Sequence, residues 1–190
     1  MSSTQVFGIT GAADAATTVW QIDPSHATVE FAVKHMMIST VKGHFSGVTG
    51  TLTIDEADPS RSSVNVEIDA ASLTTRDERR DGHLRSPDFL DVENYPKLAF
   101  VSTKVEPLDG DHLRVTGDLT IRGVTAPVVL AATYQGQSTS PWGATVAAFG
   151  AATTINRSDF GLLWNITLET GGILVGESVK ISLEIEAIRQ

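Results

Sequence analysis

TVEFAVKH, residues 28–35, puts Val29, Phe31, Val33 and His35 on one face of an extended chain and Thr28, Glu30 and Lys34 on the other. A period of two marks a half-buried strand, so the apolar face, His35 included, is expected to point inward. Toward the N-terminus the strand reaches back to Trp20. Toward the C-terminus Met36-Met37-Ile38 breaks the alternation and reads as a turn at a rim. Val41 to Ile54 then reads as a second long strand, with Gly43, Gly47 and Gly50 at the bends of a strongly curved sheet. Beyond a turn at Asp58-Pro59-Ser60, Val64, Val66 and Ile68 oppose Asn65, Glu67 and Asp69, the cleanest alternation in the chain.

The same pattern returns from Leu98 to Val105, along Leu113, Val115, Leu119 and Ile121, over Val128–Gln135 and Thr145–Ile155, and along Val179, Ile181, Leu183 and Ile185. Asp109-Gly110-Asp111, Arg122-Gly123 and a polar stretch from Ser138 to Gly143 supply the turns. Seven or eight antiparallel strands, each with one apolar face, hide their edges most easily by closing into a barrel. Aromatic residues are only 6% of the chain, and much of the inward set is Val, Ala, Ile and Leu. Such a barrel is either hollow, with room for an apolar ligand, or a packed core; the pattern leaves both open.

One segment departs from the alternation. Residues 74–100, TTRDERRDGHLRSPDFLDVENYPKLAF, crowd charge and helix signals together. Thr75 with Glu78 three residues on has the spacing of a capping box, and Asp77 and Glu78 suit a first turn. Ser86-Pro87 ends the helix, because the residue before proline is pushed out of helical geometry. Asp88 to Asp91 reads as a further turn, and Tyr95-Pro96 leads into the next strand. A helix over Thr75–Arg85 is too short to bury much alone, so it is expected to plug or cover the barrel.

Composition narrows the function classes. At 190 residues and 20.2 kDa the chain suits one domain. A formal net charge of −9 opposes binding to nucleic-acid phosphate and to acidic lipid surfaces. The absence of cysteine excludes disulfides and thiolate chemistry. Met1 to Val19 has no Lys or Arg and no continuous apolar run, unlike a secretory signal, and no stretch approaches the ~18 apolar residues of a membrane span. A cytoplasmic protein is expected, with residues 1–18 as a flexible tail and 19–190 as the barrel.

Catalytic and metal motifs are sparse. His26, His35, His44 and His83 are too scattered for a metal site, so no metal is expected. The glycines of 171–176 lack dinucleotide spacing, no Gly-x-Ser-x-Gly elbow occurs, and no cofactor is expected. Arg76, Arg79, Arg80 and Arg85 suit either bidentate contacts to an anionic head group or a solvated helix face paired with Asp77, Glu78 and Asp81.

Five stretches carry a resemblance: Asp23-Pro24-Ser25-His26; Val29-x-Phe31-x-Val33-x-His35; Gly43-x-Phe45; the block from Arg76-Asp77 through His83-Leu84-Arg85-Ser86 and Asp88-Phe89 to Tyr95-Pro96; and Asn156-Arg157-x-Asp159-Phe160-Gly161. In order and spacing they resemble the YceI-like family of polyisoprenoid-binding proteins, from about Trp20 to Ile188. The resemblance implies an all-β fold, an extended antiparallel lipocalin-like barrel of about eight strands with one short helical insertion. It also implies a homodimer and an apolar tunnel that binds a polyisoprenoid, a quinone-like molecule or a fatty-acid derivative without catalysis. Many members are periplasmic and carry a signal peptide, and this sequence departs from them there.

On that reading Val29, Phe31, Val33 and His35, with Phe45, Leu84, Phe89, Leu98, Phe100, Phe160, Leu162 and Trp164, enclose the lipid tail, and the head group lies within reach of His35, Arg76 or Arg157. Two rival readings remain. One is an enzyme at the barrel mouth with His35 or His26 as base near Asp159 or Arg157; the other is a stress-related protein with a filled core.

Overall fold

The structure, a computed structural model, describes residues 17–190. The tail expected over 1–18 lies outside the described residues as far as 16, and Thr18, which is buried, begins the first strand. The strands are β1 (Thr18–His35), β2 (Ser39–Phe45), β3 (Val48–Ile54), β4 (Ser63–Asp69), β5 (Leu73–Thr74), β6 (Lys97–Pro107), β7 (His112–Ile121), β8 (Val124–Thr139), β9 (Thr145–Asn156) and β10 (Val175–Arg189). One α-helix among the described residues, α1 (Glu78–Arg85), stands between β5 and β6. Hydrogen bonding runs β1–β3–β4–β6–β7–β8–β9–β10, and β10 pairs back onto β1, closing an eight-stranded antiparallel barrel with no edge along its wall.

The alternation read from sequence is the alternation of this wall. Val66 and Ile68 are buried while Asn65, Glu67 and Asp69 are exposed, and Val115, Leu119 and Ile121 are buried on β7. Gly117 shares their face, where a Cβ would collide with the Phe100 ring; the missing side chain lets that ring lie across the sheet. At the β7–β8 turn Arg122 (φ 51°) and Gly123 (φ 72°) are both left-handed, the backbone that a two-residue hairpin needs.

Two expectations need correction. Val41 to Ile54 is not one strand, because the chain breaks at Ser46-Gly47 into β2 and β3, both of which pair with β1. The Gly47 amide donates to Ser72 Oγ (3.0 Å) and its carbonyl accepts from the Asp69 amide (2.8 Å), so its backbone groups leave the ladder. The helix is capped by Asp77, whose side chain accepts from the Arg80 amide (2.9 Å), and not by Thr75. Arg76 takes a left-handed φ of 64°, which turns the chain between Thr75 and the helix and leaves the Thr75 hydroxyl free to donate to Asp81 at 2.5 Å.

The topology gives the barrel two unlike ends. At one lie the β1–β2 turn, the segment carrying α1, the β7–β8 turn and the long β9–β10 connection. At the other lie the β3–β4, β6–β7 and β8–β9 connections.

Candidate ligand-binding cavity

The inward side chains do not fill the barrel. A cavity of about 630 Å³ runs through it, within the size range of sites for small organic ligands. Its lining is mainly aliphatic and aromatic. Toward β3, β4 and β6 the inward residues Leu52, Val66, Ile68, Leu98 and Phe100 are packed to below a tenth exposure. Toward β8, β9 and β10, Leu130, Ala132, Phe149, Ala151, Ile181 and Leu183 also line the cavity yet remain half-buried, because they face the lumen. A filled core is therefore excluded.

One end is closed by a polar network. Arg157, only 3% exposed, donates through Nε to the Gly176 carbonyl (3.0 Å), through Nη1 to the carbonyls of Leu162 (2.5 Å) and Trp164 (2.9 Å), and through Nη2 to the Val175 carbonyl (3.4 Å) and the Glu177 carboxylate (2.9 Å). All five guanidinium donors are thus committed to the chain. They fold the β9–β10 connection over the barrel.

Beside it the buried Asp81 carboxylate accepts from the Thr74 hydroxyl (3.0 Å) and from the Thr75 amide (2.7 Å) and hydroxyl. Burial pushes its carboxyl up, but these bonds and the charge of Arg85 outweigh that and hold it below the usual carboxylate range. Arg85 donates to the carbonyls of Ala71 and Leu73, tying α1 to β5. His83, Phe89 and Trp164 pack with ring centroids 4.6 to 5.3 Å apart and join α1 to the β9–β10 connection.

The other end is open. The exposed residues of the lining, Glu56, Ser63, Pro107, Gly110, Asp111 and Gln137, all lie there. Tyr134 stands inside this mouth on β8, its ring 5.5 Å from that of Phe149. Burial first, then the charges of Glu56 and Asp111, push its phenol above the ordinary value, so it remains a neutral donor.

A hollow antiparallel barrel plugged by one short helix agrees with the comparisons. The YceI-like domain matches residues 20–187. The chain belongs to the YceI-like family. A UPF0312 protein of Pseudomonas savastanoi pv. phaseolicola is 43% identical over 152 residues, 80% of this chain and 79% of that protein. Among solved structures, the Campylobacter jejuni YCEI protein superposes with a TM-score of 0.69 at 32% identity, covering 83% of this chain and 90% of that one. A polyisoprenoid binding domain from Saccharophagus degradans shares the fold at a TM-score of 0.64 and 14% identity, covering 90% and 98%.

In this YceI-like barrel the residues singled out from sequence fall into three places. Val29, Phe31, Val33, Phe45, Leu84, Phe89, Leu98, Phe100, Leu162 and Arg157 line the cavity. Phe160, 1% exposed, is packed in the core, and Trp164 lies in the aromatic trio; neither reaches the lumen. His35 and Arg76 are away from it as well. Strand parity pointed His35 inward, but the β1–β10 register slips between Val33 and His35 as β1 meets its rim. Arg76 is exposed. Arg157, though at the wall, has no donor left for a head group.

The histidines do not converge. His83 Nε2 is 2.8 Å from Asp88, and His26 Nδ1 is 2.9 Å from Asp23, in a small, partly exposed group with Glu186 where the β1 register shifts. Hydrogen bonds from Ser25 and His26 lower the Asp23 carboxyl to about 2, and Asp23 in turn raises the His26 imidazole. Sequence reading missed the open mouth and the buried Asp81. The signal for Tyr134 was its parity with Val128, Leu130 and Ala132; Glu56 and Asp111 lie in turns, where no periodicity marks them.

Proposed function

We propose that the protein binds, and so carries or stores, one long-chain amphiphile with its apolar tail inside the barrel, and that it does not transform it. A polyisoprenoid, a quinone-like molecule and a fatty-acid derivative are the candidate tails. The single observation behind this reading is the 630 Å³ apolar lumen, open at one end and plugged at the other. Each methylene moved from water into it contributes about 0.8 kcal/mol, so ten or more tail carbons outweigh the cost of ordering the ligand. The shared fold with a polyisoprenoid binding domain supports the choice of tail. The commitment of every Arg157 donor supports binding over turnover, since the internal cation is engaged by the chain itself.

A homodimer and a cytoplasmic location complete the proposal. Sedimentation and cell fractionation measure them.

Mass spectrometry of an organic extract of the purified protein is expected to show a long-chain lipid. For the refolded, delipidated protein, affinity is expected to climb with tail length in a homologous series. Phe100→Asp puts an unpaired charge in the lining and is expected to abolish binding. Ala132→Phe, which fills the lumen without adding charge, is expected to weaken binding of the longest tails more than tenfold while the barrel stays folded. Affinity that ignores both tail length and Ala132→Phe overturns the proposal.

A further inference from the structure

The two ends of the lumen differ in charge as well as in closure. The three connections that frame the open mouth, residues 55–62, 108–111 and 140–144, carry five carboxylates, Asp55, Glu56, Asp58, Asp109 and Asp111, and a single cation, Arg61. That cation is already engaged, 2.5 Å from Asp55 and 3.7 Å from Asp58. Glu56 and Asp111, the two acids that line the cavity, form no ion pair among the described residues.

Tyr134 lines the same mouth; its hydroxyl has no hydrogen-bond partner among the described residues, and its amide donates to the Asp111 carbonyl at 2.8 Å. A head group at this mouth meets the Tyr134 phenol and two carboxylates that have no ion-pair partner among the described residues. The cationic side chain that lines the lumen, Arg157, is at the far end with its donors spent.

We infer that the open mouth is a charge filter: it accepts long-chain amphiphiles whose head group is uncharged or cationic and disfavours those ending in a carboxylate or a phosphate. This rests on the lipid-binding reading above and adds the class of head group to it. The apolar lumen supplies affinity through the tail and is indifferent to the head. Glu56 and Asp111 supply the discrimination, by repelling an anion as it seats and attracting an ammonium, and Tyr134 offers a hydrogen bond to an alcohol, amide or carbonyl oxygen. Exposed charges act through solvent, so the filter is moderate and weakens with salt.

The experiment compares hexadecylamine, hexadecanol and palmitate, equal in tail length, by displacement of a fluorescent apolar dye from the delipidated full-length protein below the micellar concentration of each. At low salt the amine and the alcohol are expected to bind tighter than palmitate by about three- to tenfold, and high salt is expected to shrink the gap. The double variant Glu56→Gln/Asp111→Asn, which keeps shape and removes charge, is expected to raise palmitate affinity to near that of hexadecanol. Equal binding of all three compounds, a preference for palmitate, or a preference unmoved by salt and by the double variant overturns the charge filter while leaving the lumen as a lipid site. Failure of all three compounds to displace the dye overturns the lipid-binding reading together with it.

Discussion

The closed and open ends of the barrel put charged residues to opposite use. At the closed end charge is buried and saturated: Arg157 and Asp81 are 3% and 5% exposed, and each is surrounded by groups of the chain that match its hydrogen-bonding capacity. At the open end Glu56 and Asp111 are exposed, and among the described residues they have no ion-pair partner and the Tyr134 hydroxyl has no hydrogen-bond partner. Buried ionic groups matched in this way fix structure, because removing one partner strands the others in a low-dielectric site. Solvated, unmatched groups cost little to the fold and remain available to a ligand. Stability and selectivity are thereby separated along the axis of the lumen.

The sharpest way to break that contrast is Arg157→Ala. It removes the guanidinium donors from the carbonyls of Leu162, Trp164 and Gly176, leaves Val175 with the Asn165 side-chain amide alone, and frees the β9–β10 connection, with an expected loss of about 3–5 kcal/mol in denaturant unfolding. A loss within experimental error would show that the network does not close the end.

Asp81→Ala comes next, at about 2–4 kcal/mol, since the Thr75 amide and hydroxyl lose a buried acceptor. Its pH dependence follows from the lowered carboxyl. The contribution is complete above the unfolded-state value of about 4 and is lost as pH falls through the lower folded-state value. Acid unfolding of the wild type is therefore expected to be steeper than that of Asp81→Ala over that range, and parallel curves would contradict the assignment.

At the open end Tyr134→Phe is expected to change stability by less than about 1 kcal/mol, because the hydroxyl it removes has no partner among the described residues. Its effect is expected in binding, as a several-fold weaker affinity for hexadecanol with palmitate unchanged. A large drop in melting temperature would place Tyr134 with the structural groups.

The smallest effect is expected at Arg76. Replacement by glycine relieves a left-handed backbone and is expected to stabilise by up to about 1 kcal/mol, with lipid affinity unchanged. Altered head-group preference in Arg76→Gly would move the head-group site to the closed end.

Strands were the most legible part of the chain because each reports itself locally, through a period of two with one face wet. Val66 and Ile68, Val115 and Leu119, and the β7–β8 turn at Arg122-Gly123 stand where the pattern put them. The helix was legible in place but not in its cap. Thr75 and Asp77 are both good capping residues, and the choice was made by Asp81, which drew the Thr75 hydroxyl into the interior. The break at Gly47 was hidden for a similar reason, since it depends on Ser72 and Asp69 arriving from another part of the chain.

By itself, then, the sequence determined an antiparallel all-β chain of barrel size, one helical insertion, an apolar inner face and the family to which these belong, all properties of local period, composition and motif order. Tertiary structure alone decided that the inward side chains leave a lumen, that Arg157 braces a lid where a head group had been expected, and that His35 stands at a rim. It also brought Tyr134, Glu56 and Asp111, far apart in the chain, to one mouth of the lumen. Each of these is a matter of distance between residues remote in sequence, and that distance is set only when β10 pairs with β1 and the ring closes.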